Sequence, residues 1–377
     1  KGTLWTWGLN LFGELGDGTY DYGTEKYVPT QIGTATDWKY IAAGAYHTLA
    51  IKTDGSLWAW GANNSGQLGD GTVGLGNDRY IPTKIGTSTW KFVAAGTYHT
   101  LGIKTDGTLW AWGINSEGQL GDGTKIERNV PTQIGTVADW QSVSTSNNHN
   151  AAIKADGTLW TWGQHSWGKL GDGTYLEPTN PTPPTQVGTS TDWKIVSAGG
   201  EHTIAVKTNG TLWAWGYNGN GEYGDGVYGF NNFTPEQIGT ATNWQSVATG
   251  YAHTIFSKTD GTLWATGQNL SGQLGNGTLN GTNLPIQIGC TALGLEEVAS
   301  GNIPFTLYPN PVKNVLFLRN ENGQLIDKVI IADFLGKTVL EEIGNASQIN
   351  IQRLQSGIYF IQIVSDGRST VNKFIKE

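Results

Sequence analysis

A Leu-Trp pair returns six times in the first three quarters of the chain, with its Trp at 5, 58, 110, 160, 213 and 264. A His keeps step with it at 47, 99, 149, 202 and 253. The spacing is 50 to 53 residues, and of the 17 tryptophans only Trp167 falls outside a repeat position. A period of this length means one supersecondary unit repeated, none of which buries both its faces alone.

One unit shows how the period folds. Residues 38–44 and 47–52 alternate as two strands, and Asp54-Gly55 supplies the positive φ of the turn after the second. Residues 56–61 form a third strand, with Leu57 on one face and Trp58 and Trp60 on the other. A loop carrying Gly66-Gln67-Leu68-Gly69-Asp70-Gly71 follows. A fourth strand is expected at residues 82–86, with Pro82 at its start, where no ladder donor is lost. Four short antiparallel strands per unit make a propeller blade, and radial stacking buries the Trp rows between neighbours. A linear β-solenoid has shorter coils and lacks the recurring Asp-Gly hairpin. The expected fold class is therefore all-β, a β-propeller of four-stranded blades followed by a small β-sandwich. Five units are complete, starting at Trp38, Trp90, Trp140, Trp193 and Trp244, and residues 1–33 supply the second half of another.

Composition agrees. The chain has 55 Gly, 17 Trp, no Met and only 14% charged residues, which suits short strands and tight turns. The net charge of −8 is uneven: residues 1–301 carry 15 basic against 24 acidic side chains, residues 302–377 carry 8 against 7. An acidic main domain repels a phosphate backbone, so nucleic acid is not an expected partner. The single Cys290 makes no internal disulfide. No apolar run approaches the roughly 18–20 residues that cross a membrane. The chain opens at Lys1, inside a repeat, and a signal peptide is expected upstream.

The run from His47 to Thr72, HTLAIKTDGSLWAWGANNSGQLGDGT, resembles the regulator-of-chromosome-condensation repeat. The marks are Ala-Gly-x-x-His, Leu-Trp-x-Trp-Gly and Gly-Gln-Leu-Gly; the last recurs in register from Gly13, Gly66, Gly118, Gly168, Gly221 and Gly272. Kelch repeats have a similar length but carry a Gly-Gly mark that does not recur here. The resemblance implies seven blades. About five and a half are present, and six or seven are expected in the full-length protein.

The repeat stops near residue 289. The expected domains are a propeller at 1–289, a linker at 290–304 and a β-sandwich at 305–377, with strands at 328–332, 348–351 and 357–364. The last segment resembles the C-terminal sorting domain of the type IX secretion system of Bacteroidota. It carries Tyr308-Pro309-Asn310-Pro311, the DFLGKTV run (residues 333–339), LQSGIYFIQI (354–363) and a terminal KFIKE. The resemblance implies a secreted or cell-surface location, with the secretion machinery as one partner of the tail.

The candidate chemistry is sparse. One His per blade could ligate a metal only if all lined the axis, and a structural hydrogen bond near a strand start is the expected role. Each Gly-Asp-Gly-Thr loop offers one carboxylate, too few for Ca²⁺, and a turn-stabilising Asp is expected. The Gly219-Asn-Gly221-Glu-Tyr-Gly224 run fits a dinucleotide pattern, but the same slot in the other repeats leads to a strand, not a helix. No catalytic constellation, metal site or cofactor is expected.

Comparison of the repeats with one another points to the segments between Gly-Asp-Gly and Pro-Thr-Gln, which vary most. They hold Tyr20, Tyr22, Tyr27, Tyr80, Tyr175, Tyr228, Phe230 and Phe233. A second variable slot after Trp-Gly holds Phe12, His165 and Trp167. Aromatic side chains on a rigid rim suit recognition of a protein or glycan. The expected function is an exported, non-catalytic propeller that binds such a partner. A polysaccharide hydrolase or lyase would need a cluster of acids at the channel mouth. Guanine-nucleotide exchange, the role of the family's eukaryotic namesake, is disfavoured by the acidic charge and the export tail.

Overall fold

The computed structural model describes residues 2–175, 181–289, 305–320, 325–333, 338–344, 347–365 and 368–377. The chain divides into two compact units, Lys1–Ile288 and Gly289–Glu377. The expected linker, with Cys290, lies outside the described residues, as does part of the 333–339 run.

The first unit is a series of antiparallel blades taken in chain order. Trp140–Thr145, His149–Lys154, Leu159–Gly163 and Thr185–Gln186 make one; Trp193–Ala198, His202–Lys207, Leu212–Gly216 and Asn232–Ile238 make the next. Trp244–Thr249, His253–Lys258, Leu263–Gly267 and Thr282–Ile288 complete the last. At the start, Leu4–Gly8 pairs with Lys26–Ile32 as a half-blade. Neighbouring blades meet through their first and second strands, which places these toward the axis and the Pro-bearing fourth strand outside. In an antiparallel blade successive connections leave by opposite ends. The Ala-Gly-x-x-His link and the long Gly-Gln-Leu-Gly loop therefore share one face, the loop face, and the Asp-Gly turns lie on the other.

The fourth strand corrects the sequence expectation. In four blades it begins three residues before the proline, at Arg79, Arg128, Asn232 and Thr282, so Pro82, Pro131, Pro235 and Pro285 lie inside it; the short Thr185–Gln186 strand instead follows Pro184. The third–fourth pairing already slips there, for instance between Ala59 and Gly61, and an interrupted outer ladder loses little to a missing N–H. Tyr27, Tyr80 and Phe233 consequently belong to strands rather than to loops.

Two blades are joined without a break. Arg79–Ala95 is the fourth strand of one and the first of the next, within a seven-stranded sheet. The link from Ile85 to Trp90 is one residue shorter than that from Ile32 to Trp38, and it lacks the acid that precedes Trp38, Trp140 and Trp193. Those acids, Asp37, Asp139 and Asp192, pair with Lys52, Lys154 and Lys207 at 3.1, 3.4 and 3.0 Å. Each such lysine also lies over two indoles, as Lys52 does over Trp38 and Trp58 at 4.8 and 4.7 Å.

The second unit packs two sheets. One holds Phe305–Tyr308, Val315–Asn320 and Gln348–Asn350; the other is ordered Thr338–Ile343, Lys328–Asp333, Gly357–Ser365, Arg368–Lys376. Leu316, Val329, Ile331, Ile349, Ile361, Ile363 and Phe374 fill the space between them. The Tyr308-Pro-Asn-Pro311 motif secures the final strand, which is an edge. Asn310 accepts from the Ile375 amide (2.9 Å) and donates to the Lys373 carbonyl (3.2 Å), and the Val312 amide donates to the Ile375 carbonyl at 2.8 Å. Asn310→Ala should cost about 1 kcal/mol for the two lost bonds and speed hydrogen exchange at the Ile375 amide. Unchanged protection of that amide would reject the clamp.

Candidate recognition face

The repeated polar residues first have to be accounted for, because they fix what is left over. At four of the five junctions one carbonyl from the Gly-Gln-Leu-Gly loop of one blade accepts two donors from the next; at the last, Thr254 and Thr266 donate to the Glu222 and Gly221 carbonyls separately. The Gln67 carbonyl accepts from Trp112 Nε1 (2.9 Å) and Thr100 Oγ1 (2.8 Å). The Glu14 carbonyl takes Trp60 and Thr48 at 2.8 and 2.9 Å, and the Lys169 carbonyl takes Trp215 and Thr203, both at 2.9 Å. The repeat His completes the joint. His47, His149 and His202 place Nε2 at 3.0, 2.9 and 3.1 Å from Thr100, Thr203 and Thr254. Each of these hydroxyls spends its single proton on a loop carbonyl, so the imidazole Nε2–H is the donor to it. His99 makes the same contact to Asn150 Oδ1 at 2.9 Å.

The Gly three residues before His47, His99, His202 and His253 packs against the imidazole, whereas the same slot before His149 holds Ser146. A Cβ at Gly96 would lie 2.5 Å from His99 Cε1, and one at Gly44 would lie 2.8 Å from His47 Cε1. His47, His99, His149 and His202 are fully buried, and burial lowers the imidazole pKa to about 3, about 4 and about 3 for His47, His99 and His202, and well below the usual value for His149. The histidines are thus neutral joints. Among the described residues no three His, Cys, Asp or Glu side chains are grouped to hold a metal ion.

The Gly-Asp-Gly-Thr carboxylates are spent in the same way. Asp122 Oδ1 accepts from the Thr124 amide (2.9 Å), Thr124 Oγ1 (2.7 Å) and Asn115 Nδ2 (3.1 Å), while Oδ2 binds Arg128 through Nε (3.1 Å) and the terminal nitrogen (2.7 Å). Asp70 repeats the pattern with Thr72, Asn63 and Arg79.

The variable aromatics divide into two groups. Some join blades: Tyr20 stacks on Tyr80 at 4.0 Å between ring centroids, and Tyr175 packs on Phe233 at 5.6 Å. Phe12 meets Tyr46 edge-on at 5.5 Å. Others stand in solvent: Tyr22, Tyr27, Tyr228 and Phe230 are exposed, Tyr27 donating its hydroxyl to Glu25 at 2.9 Å. Trp167 is half-exposed and meets Tyr217 at 5.4 Å. His165, expected as a surface contact, is buried. It occupies the slot of Asn10, Asn63, Asn115, Asn218 and Asn269, whose amides organise their loops, and it lies 3.5 Å from Asp172. It is a loop support.

The sequence pattern of the regulator of chromosome condensation (RCC1) repeat matches residues 1–51, 54–103, 106–153, 156–206 and 209–257, well over half of the chain. The chain belongs to the RCC1 repeat family. Residues 306–377 match the secretion system C-terminal sorting domain, which indicates export by the type IX route to the medium or the cell surface. No helix among the described residues is long and apolar enough to cross a membrane.

Among curated relatives, the ultraviolet-B receptor UVR8 of Arabidopsis thaliana is 31% identical over 290 residues, covering 75% of this chain and 64% of the receptor. The X-linked retinitis pigmentosa GTPase regulator of Homo sapiens is 35% identical over 320 residues, 83% of this chain and 31% of that protein. The chain thus spans less than two thirds of either relative. Human WBSCR16 superposes with a TM-score of 0.65 at 24% identity, over 76% of both chains. Yeast RCC1 (Prp20), solved with Kap60, gives 0.63 at 20% identity over 99% of this chain and 88% of that chain. These structural likenesses concern the fold.

Within the RCC1 repeats of this chain, a second row of loop-face residues escaped the sequence reading. The residue before each repeat His is Tyr46, Tyr98, Asn148, Glu201 and Ala252 in turn. Tyr46 stacks on Tyr98 at 5.2 Å, which extends the Phe12 contact across three successive units. Tyr217 and Tyr251 belong to the same face, Tyr251 being well exposed. The signal was there: after two tyrosines this position differs at each further repeat, while the His beside it does not.

Proposed function

We propose that the protein is an exported, non-catalytic propeller that holds a protein or glycan partner on its loop face. One observation carries this reading. The polar groups common to the repeats are consumed in blade junctions and turns, whereas the side chains that differ between repeats are aromatic and gather on the loop face and its outer edge. Aromatic anchors on a rigid scaffold dominate binding energy where they are desolvated by a partner.

The test uses the immobilised full chain against a panel of host and bacterial surface proteins and glycans. A triple Tyr22→Ala, Trp167→Ala, Phe230→Ala variant should bind its ligand about tenfold more weakly or worse, with unchanged circular dichroism. Undiminished binding would reject the loop face. Stimulation of guanine-nucleotide exchange on a small GTPase would replace this reading with another.

A further inference from the structure

The junction between the blades that begin at Trp140 and Trp193 departs from the repeat at several positions together. Lys169 stands where the other loops have Gln67, Gln119, Gln273, Glu14 or Glu222. Those side chains cap their own loop: Gln67 accepts from the Ser65 amide at 2.9 Å, Gln119 from Glu117 at 2.8 Å, Glu222 from Asn220 at 2.9 Å. An ammonium has no lone pair to do this. The residue in the capped position here is Trp167, and its φ is +64°. Only Trp167 and Asp21 have positive φ among the described non-glycine residues. The left-handed backbone costs energy for a bulky side chain. The repeat offers a cheaper solution at every other junction.

What replaces the cap is a buried ion pair. Lys169, fully buried, donates to Glu201 at 2.5 Å and to Gln164 at 2.6 Å. Glu201 takes the slot held by Tyr46 and Tyr98 in earlier blades and remains partly exposed. Its carbonyl accepts from the Tyr217 amide at 2.8 Å, and the Tyr217 ring meets Trp167 with the planes 64° apart. On the other side is Gly200, where a Cβ would come within 3.0 Å of the Tyr251 ring and 2.4 Å of the Tyr251 carbonyl oxygen. Trp167, Tyr217, Glu201 and Tyr251 therefore form one continuous patch on the loop face.

We propose that this junction is the binding site for a neutral glycan, with Trp167 and Tyr217 against a sugar ring and Glu201 accepting its hydroxyls. The proposal rests on the loop-face reading above and gives it a ligand class. A pyranose has an apolar C–H face and a rim of hydroxyl donors; the patch offers half-exposed rings beside a carboxylate with lone pairs to spare. Lys169 already balances the Glu201 charge, so the patch carries no net charge to attract an ionic ligand. The surrounding domain, with 24 acidic against 15 basic side chains over residues 1–301, repels acidic polysaccharides.

The experiment measures binding of the full chain to laminarin, mannan and xylan, with alginate and hyaluronan as acidic counterparts. Two variants report on the site. Trp167→Ala removes the ring. Lys169→Gln restores the residue of the other repeats, so it should fold at least as stably, recap the loop and release Glu201. Binding to a neutral glycan that falls about tenfold in Trp167→Ala and about fivefold or more in Lys169→Gln, but not in the opposite-face variant Lys91→Ala, supports the site. Neutral-glycan binding unchanged in both site variants overturns it. Absence of any neutral-glycan binding also overturns it, whereas a protein or acidic glycan held by the loop-face aromatics would leave the wider reading intact. Failure of every glycan, together with no protein retained from the panel above, would remove both.

Discussion

Acidification from pH 7 to pH 5 should remove about 2 kcal/mol of stability for each of the four fully buried histidines, about 8 kcal/mol in all. His47, His99, His149 and His202 are neutral when folded because burial opposes the charged form, and neighbouring imidazoles add to this for all but His99. The unfolded chain takes up these protons below about pH 6.5. The folded chain resists until about pH 3 or 4 at His47, His99 and His202. Stability is therefore present above pH 6.5 and drains away across that window. The capped carboxylates act later: Asp70 and Asp122 have lowered pKa values, despite burial that acts the other way, because Thr72 and Thr124 hydrogen-bond the charged form. Their contribution disappears only below about pH 4. Denaturant midpoints at pH 7, 6 and 5 measure the effect. A flat profile over that range would show that the imidazoles are not buried joints. His149→Gln should flatten the slope by about a quarter, since one of four linked sites is gone.

Trp162→Ala should cost about 3–5 kcal/mol, whereas Trp167→Ala, half-exposed on the loop face, should cost about 1 kcal/mol or less. Trp162 is fully buried, donates to the Gln119 carbonyl at 3.1 Å and lies edge-on to Trp140. Gly121 fits tightly against it; a Cβ there would approach the indole to 2.8 Å. Trp60, Trp112 and Trp215 are equally inaccessible, whereas Trp167 keeps half its surface in solvent. The pair separates burial from identity: the same residue type, once inside a joint and once outside it. Thermal melts of the two variants decide the matter, and equal losses would refute the account of the junction.

The blades were legible because their parts are local. Leu57, Trp58 and Trp60 lie on one strand, and Asp54-Gly55 forms its turn, so spacing alone reveals them. The fourth strand was misplaced because Pro82 was read as a strand starter. Its effect depends on where the ladder slips opposite Gly61, which spacing does not reveal. The recognition face was half legible. Trp167 stood out as the one unrepeated tryptophan. Its partners did not, because Glu201 and Tyr217 belong to the following blade and meet it only when blades stack. His165 looked like an addition, yet it substitutes for an asparagine, a fact visible only when the loops are compared residue by residue. The Lys–indole contacts at the turns leave no such mark in the sequence, since the lysine and both its tryptophans are the same in every complete repeat and meet only once the hairpin forms.

Each junction is written in two adjacent repeats: a loop carbonyl from one and its donors from the next, joined by the His of the first where that blade is whole. No residue of a third blade takes part in the joint. A gene encoding such a chain can gain or lose one whole unit by unequal crossing-over between repeats, and the new neighbours will find a loop carbonyl and matching donors waiting. The number of blades is thus open to inheritance by duplication, while the loop-face residues, which the joint ignores, are free to diverge one repeat at a time.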